Sequence, residues 1–258
     1  MAATAGTRSL VEDARVAVAA AARAATVLLG LRADAAAGAE SADDLRKRGD
    51  RLSHDALLAA LSADRPGDWI LSEEAADDPG RTKRDRVWII DPLDGTREFG
   101  EPGRTDWAVH VALVRDGDLA VGVVALPALG QTLTSADPPV VPARSGRLRM
   151  VVSRTRPPDI AAAVAARMQA ELIPMGSAGA KAMAVATGAA DMYVHAGGQH
   201  EWDSAAPVAV ARAAGLHVSR LDGSPLLYNR YPAWQPDLVV CRPELSRALM
   251  EALRAAGG

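Results

Sequence analysis

The chain has 258 residues, of which 49% are hydrophobic and 24% charged, with a net charge of −3. Those are globular proportions in a chain long enough to bury a full core, so intrinsic disorder is excluded and one large domain or two modest ones are expected. The charge balance leaves no electrostatic footprint for a nucleic-acid polymer, and the single cysteine, Cys241, excludes an intramolecular disulfide, a cysteine zinc site and an iron–sulfur cluster. No run of eighteen uncharged apolar residues is present, so no membrane span is expected. The Ala-rich amino terminus is broken by Glu12, Asp13, Arg15 and Arg23 and has no leading positive cluster, unlike a secretory signal, which makes the cytoplasm the expected location.

In chain order, Ser9 with Glu12 forms a capping box for a helix reaching Leu31, with Leu10, Ala14, Ala17, Ala21 and Leu28 on one face. A second helix is expected from about Leu52 to Leu61, ended by Arg65-Pro66-Gly67. Trp69-Ile70-Leu71 and Val87-Trp88-Ile89-Ile90 are strands, the latter stopped by Asp91-Pro92. Trp107–Val114 and Leu119–Leu126 form a hairpin across an Asp-Gly turn. The proline-bearing stretch Thr134–Gly146 is a linker or a loop. The second half begins with a strand near Leu148–Ser153, then helices over Asp159–Glu171 and about Ala180–Thr187, the latter closed by Gly188. Met192–His195 is a strand, Ser204–Ala214 a helix, Leu238–Cys241 a strand and Pro243–Ala255 a final helix. Mixed helices and strands with a hairpin give a layered α+β or α/β fold, not an all-parallel sheet.

The phosphate loop, GxGxxG, HExxH and GxSxG motifs are all absent, which removes nucleotide kinases, dinucleotide dehydrogenases and serine hydrolases. Three acidic segments remain: Ser72-Glu73-Glu74, Asp91-Pro92-Leu93-Asp94-Gly95-Thr96 and Glu201-Trp202-Asp203-Ser204. Alone, each has an ordinary reading as a solvated helix start, a turn or an N-cap. Together, each brings a carboxylate to where an apolar element meets the surface. Asp91 and Asp94, three apart around a proline turn, can point into one pocket. Converging carboxylates repel unless a hard cation sits between them, and Mg²⁺ suits oxygen ligands while keeping waters for a phosphate. Gly95 permits close backbone approach to an anion, and the Thr96 hydroxyl can orient a metal-bound water.

These three segments, in this order and spacing, resemble the signatures of the inositol monophosphatase superfamily of Mg²⁺-dependent, lithium-sensitive phosphatases, over nearly the whole chain. The resemblance implies a layered αβαβα sugar-phosphatase fold, with residues 1–140 forming an N-terminal α+β half and residues 147–258 a C-terminal α/β half. It implies two or three Mg²⁺ ions. Glu73, Asp91 and the Leu93 carbonyl correspond to ligands of the first, and Asp91, Asp94 and Asp203 to ligands of the second. Thr96 corresponds to the water-activating threonine. Asp50 holds the position of its acidic partner, although Lys47-Arg48-Gly49-Asp50 departs from the usual Thr-x-x-Asp.

Within the superfamily, Val151–Thr155, Gly176-Ser177, Leu226–Asn229 and the Arg97-Glu98-Phe99 continuation most resemble the CysQ-type branch that acts on 3′-phosphoadenosine 5′-phosphate. Position 196, where inositol phosphatases carry a glutamate, is alanine. The resemblance implies hydrolysis of the 3′-phosphate of that nucleotide, with 3′-phosphoadenylyl sulfate as a second substrate. An inositol or fructose 1,6-bisphosphate phosphatase and a non-catalytic phosphate-binding regulator are the alternatives. Leu93, Asp94, Gly95, Thr96, Arg97, Ser177 and Asp203 are the expected substrate contacts. Arg97, Arg154 and Lys181 are the candidate cations for a 5′-phosphate, and His195, Gln199 and His200 candidate walls of a nucleoside pocket. The expected partner is a small phosphorylated molecule, with no nucleic acid or membrane, and a homodimer is left open.

Overall fold

A computed structural model describes residues 9–38 and 40–257 of the protein; residues 1–8, part of the stretch read for a leader, lie outside the described residues. The first helix, α1 (Leu10–Ala37), starts where expected, Ser9 Oγ accepting from Glu12 N at 3.2 Å, and runs six residues further. Its buried face carries Ala14, Ala17, Ala20, Ala21, Ala24, Leu28 and Leu31, whose small side chains let the backbone approach closely, whereas Leu10 is exposed. By length and composition alone α1 could cross a membrane; here that face packs on α2 and the first sheet. The second helix, α2 (Ala42–Asp64), begins ten residues before the expected start, capped by Ser41. Its first turns are polar and contain Gly49, so apolar periodicity marks only the later part.

The strands β1 (Trp69–Ser72), β2 (Arg86–Asp94), β3 (Ala108–Arg115), β4 (Asp118–Leu126) and β5 (Gln131–Thr134) form one sheet in that order, with α3 (Thr96–Phe99) as a single turn after β2. Strand β2 does not stop at Asp91-Pro92. It continues to Asp94 across a register shift against β3, Asp91 pairing His110 and Asp94 pairing Ala108. A bulge of this kind re-aims side chains without ending the strand. Residues 135–148 carry no helix or strand.

The second half contains β6 (Arg149–Ser153), α4 (Asp159–Met168), β7 (Glu171–Met175), α5 (Ala178–Ala186), β8 (Met192–His200), α6 (Glu201–Ala213), β9 (His217–Ser219), β10 (Trp234–Cys241) and α7 (Ser246–Ala256). Its sheet runs β7-β6-β8-β10-β9. The helix expected over Asp159–Glu171 ends at Met168, and Glu171 opens the edge strand β7.

Side-chain alternation builds the layers. On β2, Trp88 and Ile90 join α1 and α2 in one core, while Val87 and Ile89 face the opposite way. That second core holds α5, α6 and one face of the second sheet, including Val151 and Tyr193. Met150, Val152, Met192 and Val194 turn to the third core, with Ala161, Leu249 and Leu253 from α4 and α7. The order is therefore α1/α2, first sheet, α5/α6, second sheet, α4/α7: an αβαβα sandwich. The N-termini of α5 and α6 meet the C-terminal end of β2 between the two sheets, and that junction positions the site.

Candidate active site

The carboxylates of Asp91, Asp94 and Asp203 offer ligand oxygens all within 4.8 Å of one another. Asp91 and Asp94 arrive from the bulged end of β2; Asp203 arrives from the first turn of α6. Asp91 is buried and tied by Leu93 N to Oδ1 at 3.0 Å. Asp94 is gripped by the start of α5: Ser177 Oγ donates to Oδ2 at 2.5 Å, Gly179 N to Oδ2 at 2.7 Å and Ala178 N to Oδ1 at 3.1 Å. Asp203 Oδ2 accepts from His200 N at 2.6 Å. His200, not Asp203, is the N-cap of α6.

Gly95 makes this approach feasible. Its φ is +86°, and a Cβ there would lie 3.1 Å from both Asp106 O and Ser177 Cβ. The next residue, Thr96, places Oγ1 3.1 Å from Asp50 Oδ1 and 3.0 Å from the Leu93 carbonyl. Asp50 reaches it because α2 packs closely at Gly49, where a Cβ would fall 2.7 Å from Phe99 Cε1 and 2.9 Å from Leu93 Cδ2. Glu73 stands at the exposed end of β1 and is not one of the three clustered carboxylates, but it shares their field.

Electrostatics set the cluster apart. Burial, then Glu73, Asp94 and Asp203, push the Asp91 carboxyl well above its ordinary value. Protein packed around the Glu73 carboxyl, although the residue is exposed, then Asp203 and Asp94, raise it to about 7. Burial and Asp94 raise Asp203 to about 6; burial and Glu74 raise Asp50 to about 6 against the Thr96 hydrogen bond. Asp94 goes the other way. Burial would raise it, but His110, Lys181 and Ser177 outweigh burial and hold it at about 2. Repelling carboxylates on fixed supports, with lone pairs left over, are the donor set of a divalent-cation site, and they fit Mg²⁺.

His110 escaped the sequence reading. It is fully buried beside Asp91 and Asp94; Nδ1 lies 3.0 Å from the Trp202 carbonyl, and Nε2 lies 3.2 Å from Asp94 Oδ2 without hydrogen-bond alignment. A carbonyl only accepts, so Nδ1 carries a proton. Burial disfavours the charged imidazole, but Asp94 and the Trp202 carbonyl prevail and raise its pKa. Only the antiparallel register, which pairs His110 with Asp91, brings it to the site. A Cβ on Gly179 would sit 2.0 Å from His110 Nε2, so that glycine admits α5 against the imidazole.

A cleft of about 670 Å³ opens beside the cluster, lined among others by Asp94, Gly95, Thr96, Arg97, Ser177, Ala196 and Asp203. Of the three cations expected to meet a second phosphate, Arg97 is exposed on its wall. Arg154 is engaged elsewhere: its Nη2 contacts Glu98 Oε1 at 2.7 Å and Glu101 Oε1 at 2.8 Å. Lys181 is buried, with Nζ donating to the Ser177 and Gly176 carbonyls at 2.7 and 3.2 Å, which braces the turn carrying Ser177. Arg156, overlooked in sequence, is exposed and lines the same cleft as Arg97. Ser177 faces the cleft, but its hydroxyl is spent on Asp94 and its oxygen accepts from Ala180 N. His195, Gln199 and His200 all line the cleft.

This layering, with acids gathered between two sheets, is that of a family of metal-dependent phosphatases: residues 9–256 match the inositol monophosphatase family, and the chain belongs to it. It is 51% identical over 242 residues to the 3′-phosphoadenosine 5′-phosphate phosphatase of Mycobacterium bovis, covering 89% of each protein. To the phosphatase of the same name from Mycobacterium leprae it is 48% identical over 255 residues, 94% of this chain and 93% of that one. Among solved structures, CysQ from Bacteroides thetaiotaomicron, a bacterial member of the inositol monophosphatase family, superposes with a TM-score of 0.76 at 29% identity, covering 90% of this chain and 97% of that one.

Proposed function

We propose that this chain is a Mg²⁺-dependent phosphatase that removes the 3′-phosphate of 3′-phosphoadenosine 5′-phosphate and releases AMP. The observation that carries the reading is the convergence of Asp91, Asp94 and Asp203 beside a cleft whose wall also bears two exposed arginines. One charge site suits the reacting phosphate and the other the second phosphate of a bisphosphate. The mycobacterial relatives carry the name of that activity over almost their whole length.

Asp91, Asp94 and Asp203, with Glu73 and the Leu93 carbonyl, would hold the ions. When bound, Mg²⁺ neutralises phosphate charge and makes a coordinated water a better nucleophile. The remaining work belongs to the chain. Asp50 accepts the Thr96 hydroxyl proton at Oδ1, which leaves the lone pairs of Thr96 Oγ1 to orient an incoming water. The α5 amides and Ser177 fix Asp94 so that its geometry does not relax during turnover. Arg97 and Arg156 would take the 5′-phosphate through charge-assisted hydrogen bonds. Ala196 on the cleft wall offers no carboxylate to a polyol.

Phosphate release from 3′-phosphoadenosine 5′-phosphate, inositol 1-phosphate and fructose 1,6-bisphosphate, in Mg²⁺ and in excess chelator, tests the reading. The nucleotide should show the highest kcat/KM, with turnover abolished by chelator. An equal or higher value for inositol 1-phosphate would replace it with a general sugar phosphatase, and no turnover of any substrate with a phosphate-binding regulator.

A further inference from the structure

Two buried polar side chains on the cleft lack any hydrogen-bond partner. Gln199 is 6% exposed, and neither Oε1 nor Nε2 is satisfied; Tyr193 is 1% exposed, with its hydroxyl unpaired. Native interiors rarely leave such groups unmatched. Burial, Asp94 and Asp203 all keep the Tyr193 hydroxyl protonated, which ties that residue to the acidic end of the cleft. Gln199 stands among different neighbours, near the end of β8, between Gly197-Gly198 and His200.

Those neighbours are aromatic. In the β8–β10 ladder His200 pairs with Trp234 and Gln199 with Gln235. Trp234 is 47% exposed and lies directly on Gly198, where a Cβ would sit 1.8 Å from Cζ2. His200 meets Trp234 edge-on with ring centroids 5.2 Å apart and stacks on Trp202 at 4.4 Å. Gly198, Gln199, His200 and Trp234 line the same cleft as Thr96 and Asp94. The half-exposed Trp234 and Gln199, whose buried amide has unused donors and acceptor, therefore line one cleft.

We propose that Gln199 and Trp234 form the subsite for the nucleobase, an assignment that rests on the nucleotide reading above. Trp234 stacks on the purine face, which every base offers. The Gln199 amide pairs with the adenine edge: Oε1 accepts from the 6-amino group and Nε2 donates to the adjacent ring nitrogen. Gly198 is the glycine that lets the platform lie flat.

The test compares kcat/KM for 3′-phosphoadenosine 5′-phosphate with that for ribose 3,5-bisphosphate, which keeps both phosphates and lacks the base. The ratio isolates what the base contributes and is insensitive to partial misfolding. Gln199→Leu should lower it roughly 5- to 150-fold, the scale of one bidentate base contact. Trp234→Ala should lower it by a similar factor of roughly 5- to 150-fold, mainly through KM. Gln199→Glu keeps the shape but cannot donate, and should lower the ratio as well. A ratio that both Gln199 variants leave unchanged overturns the subsite, whatever happens to the absolute rates. So does a wild-type enzyme that treats the two bisphosphates alike. If the wild type turns over neither of them but hydrolyses inositol 1-phosphate, the substrate reading itself has failed.

Discussion

Strand β2 begins in one buried charge cluster and ends in another, and the two are built on opposite terms. At its start, Asp13, with no side-chain exposure, receives Arg65 Nε at 2.9 Å and Arg86 through both terminal nitrogens at 2.9 and 3.0 Å. Arg86 also holds Asp68, which accepts from Trp88 Nε1 at 3.0 Å. Two acids meet two arginines. Burial opposes ionisation of Asp13, but the arginines outweigh it and its pKa falls. At the far end Asp91, Asp94, Asp203, Glu73 and Asp50 share a junction with His110 and Lys181, and every acid but Asp94 is pushed upward. The first cluster is satisfied as folded. The second holds acids in excess of cations, the pattern expected of a cation-binding rather than a structural cluster.

The largest effects should separate the two ends by kind. Asp91→Asn removes a carboxylate proposed to hold the ions without adding bulk, and kcat/KM for phosphate release should fall roughly 10⁴-fold or more, the scale on which catalytic units fail when an indispensable member is lost. Thr96→Ala should lower kcat roughly 10²- to 10⁴-fold with little change in KM, because orienting a water counts mainly in the transition state. If Thr96→Ala keeps most of its kcat in steady-state assays, the Thr96–Asp50 pair is not the water-orienting device.

Gly49→Ala should act through distance. The added methyl must displace Phe99 or Leu93, lifting Asp50 from Thr96, and misplacements of this size cost up to roughly 10²-fold in kcat. The variant should melt near the wild type, since helix propensity improves by about 1 kcal/mol while packing worsens.

Asp13→Ala should spare the catalytic machinery and damage the fold. Stripping one member from a buried ion-pair network costs about 3–5 kcal/mol, read by denaturant unfolding in Mg²⁺. The pH dependence follows from the sign of the shift. The folded-state value of Asp13 lies below the ordinary 3.8, so its contribution is present above that value and fades as pH falls through the lower folded value. The stability gap between wild type and Asp13→Asn should therefore close in acid. Asp203 and Asp50, raised to about 6, carry the opposite sign: metal-free protein should lose stability between about pH 4 and pH 6 as they ionise.

Much of this was legible in the sequence because it is periodic or local. The fully apolar run Val87–Ile90, the Asp-Gly hairpin and the Ala-rich face of α1 specify their elements directly. The spacing of Asp91, Asp94, Gly95 and Thr96 shows its chemistry in one line of text, although the expected turn is a bulged strand end. The rest depends on tertiary contacts. The polar start of α2 has no apolar stripe because Gly49 packs through its missing side chain. The short edge strands β5, β7 and β9 exist only through their neighbours. His110 reads as one residue of a strand until register sets it opposite Asp91, and Arg154 reads as a free cation until Glu98 and Glu101 close on it.

Thermal unfolding of the wild type and Asp91→Asn, each in excess chelator and in saturating Mg²⁺ at neutral pH, tests the central claim most directly. Asn retains an oxygen for the Leu93 amide and removes one repelling charge, so Asp91→Asn should melt above the wild type in chelator. Mg²⁺ at a hundred times its dissociation constant adds about 2.7 kcal/mol, or roughly 5–11 °C in a protein of this size, and only the wild type should gain it in full. If the cluster holds cations, the order of the two melting temperatures should reverse when Mg²⁺ is added. An Asp91→Asn protein that melts below the wild type in chelator, with neither protein responding to Mg²⁺, would contradict it.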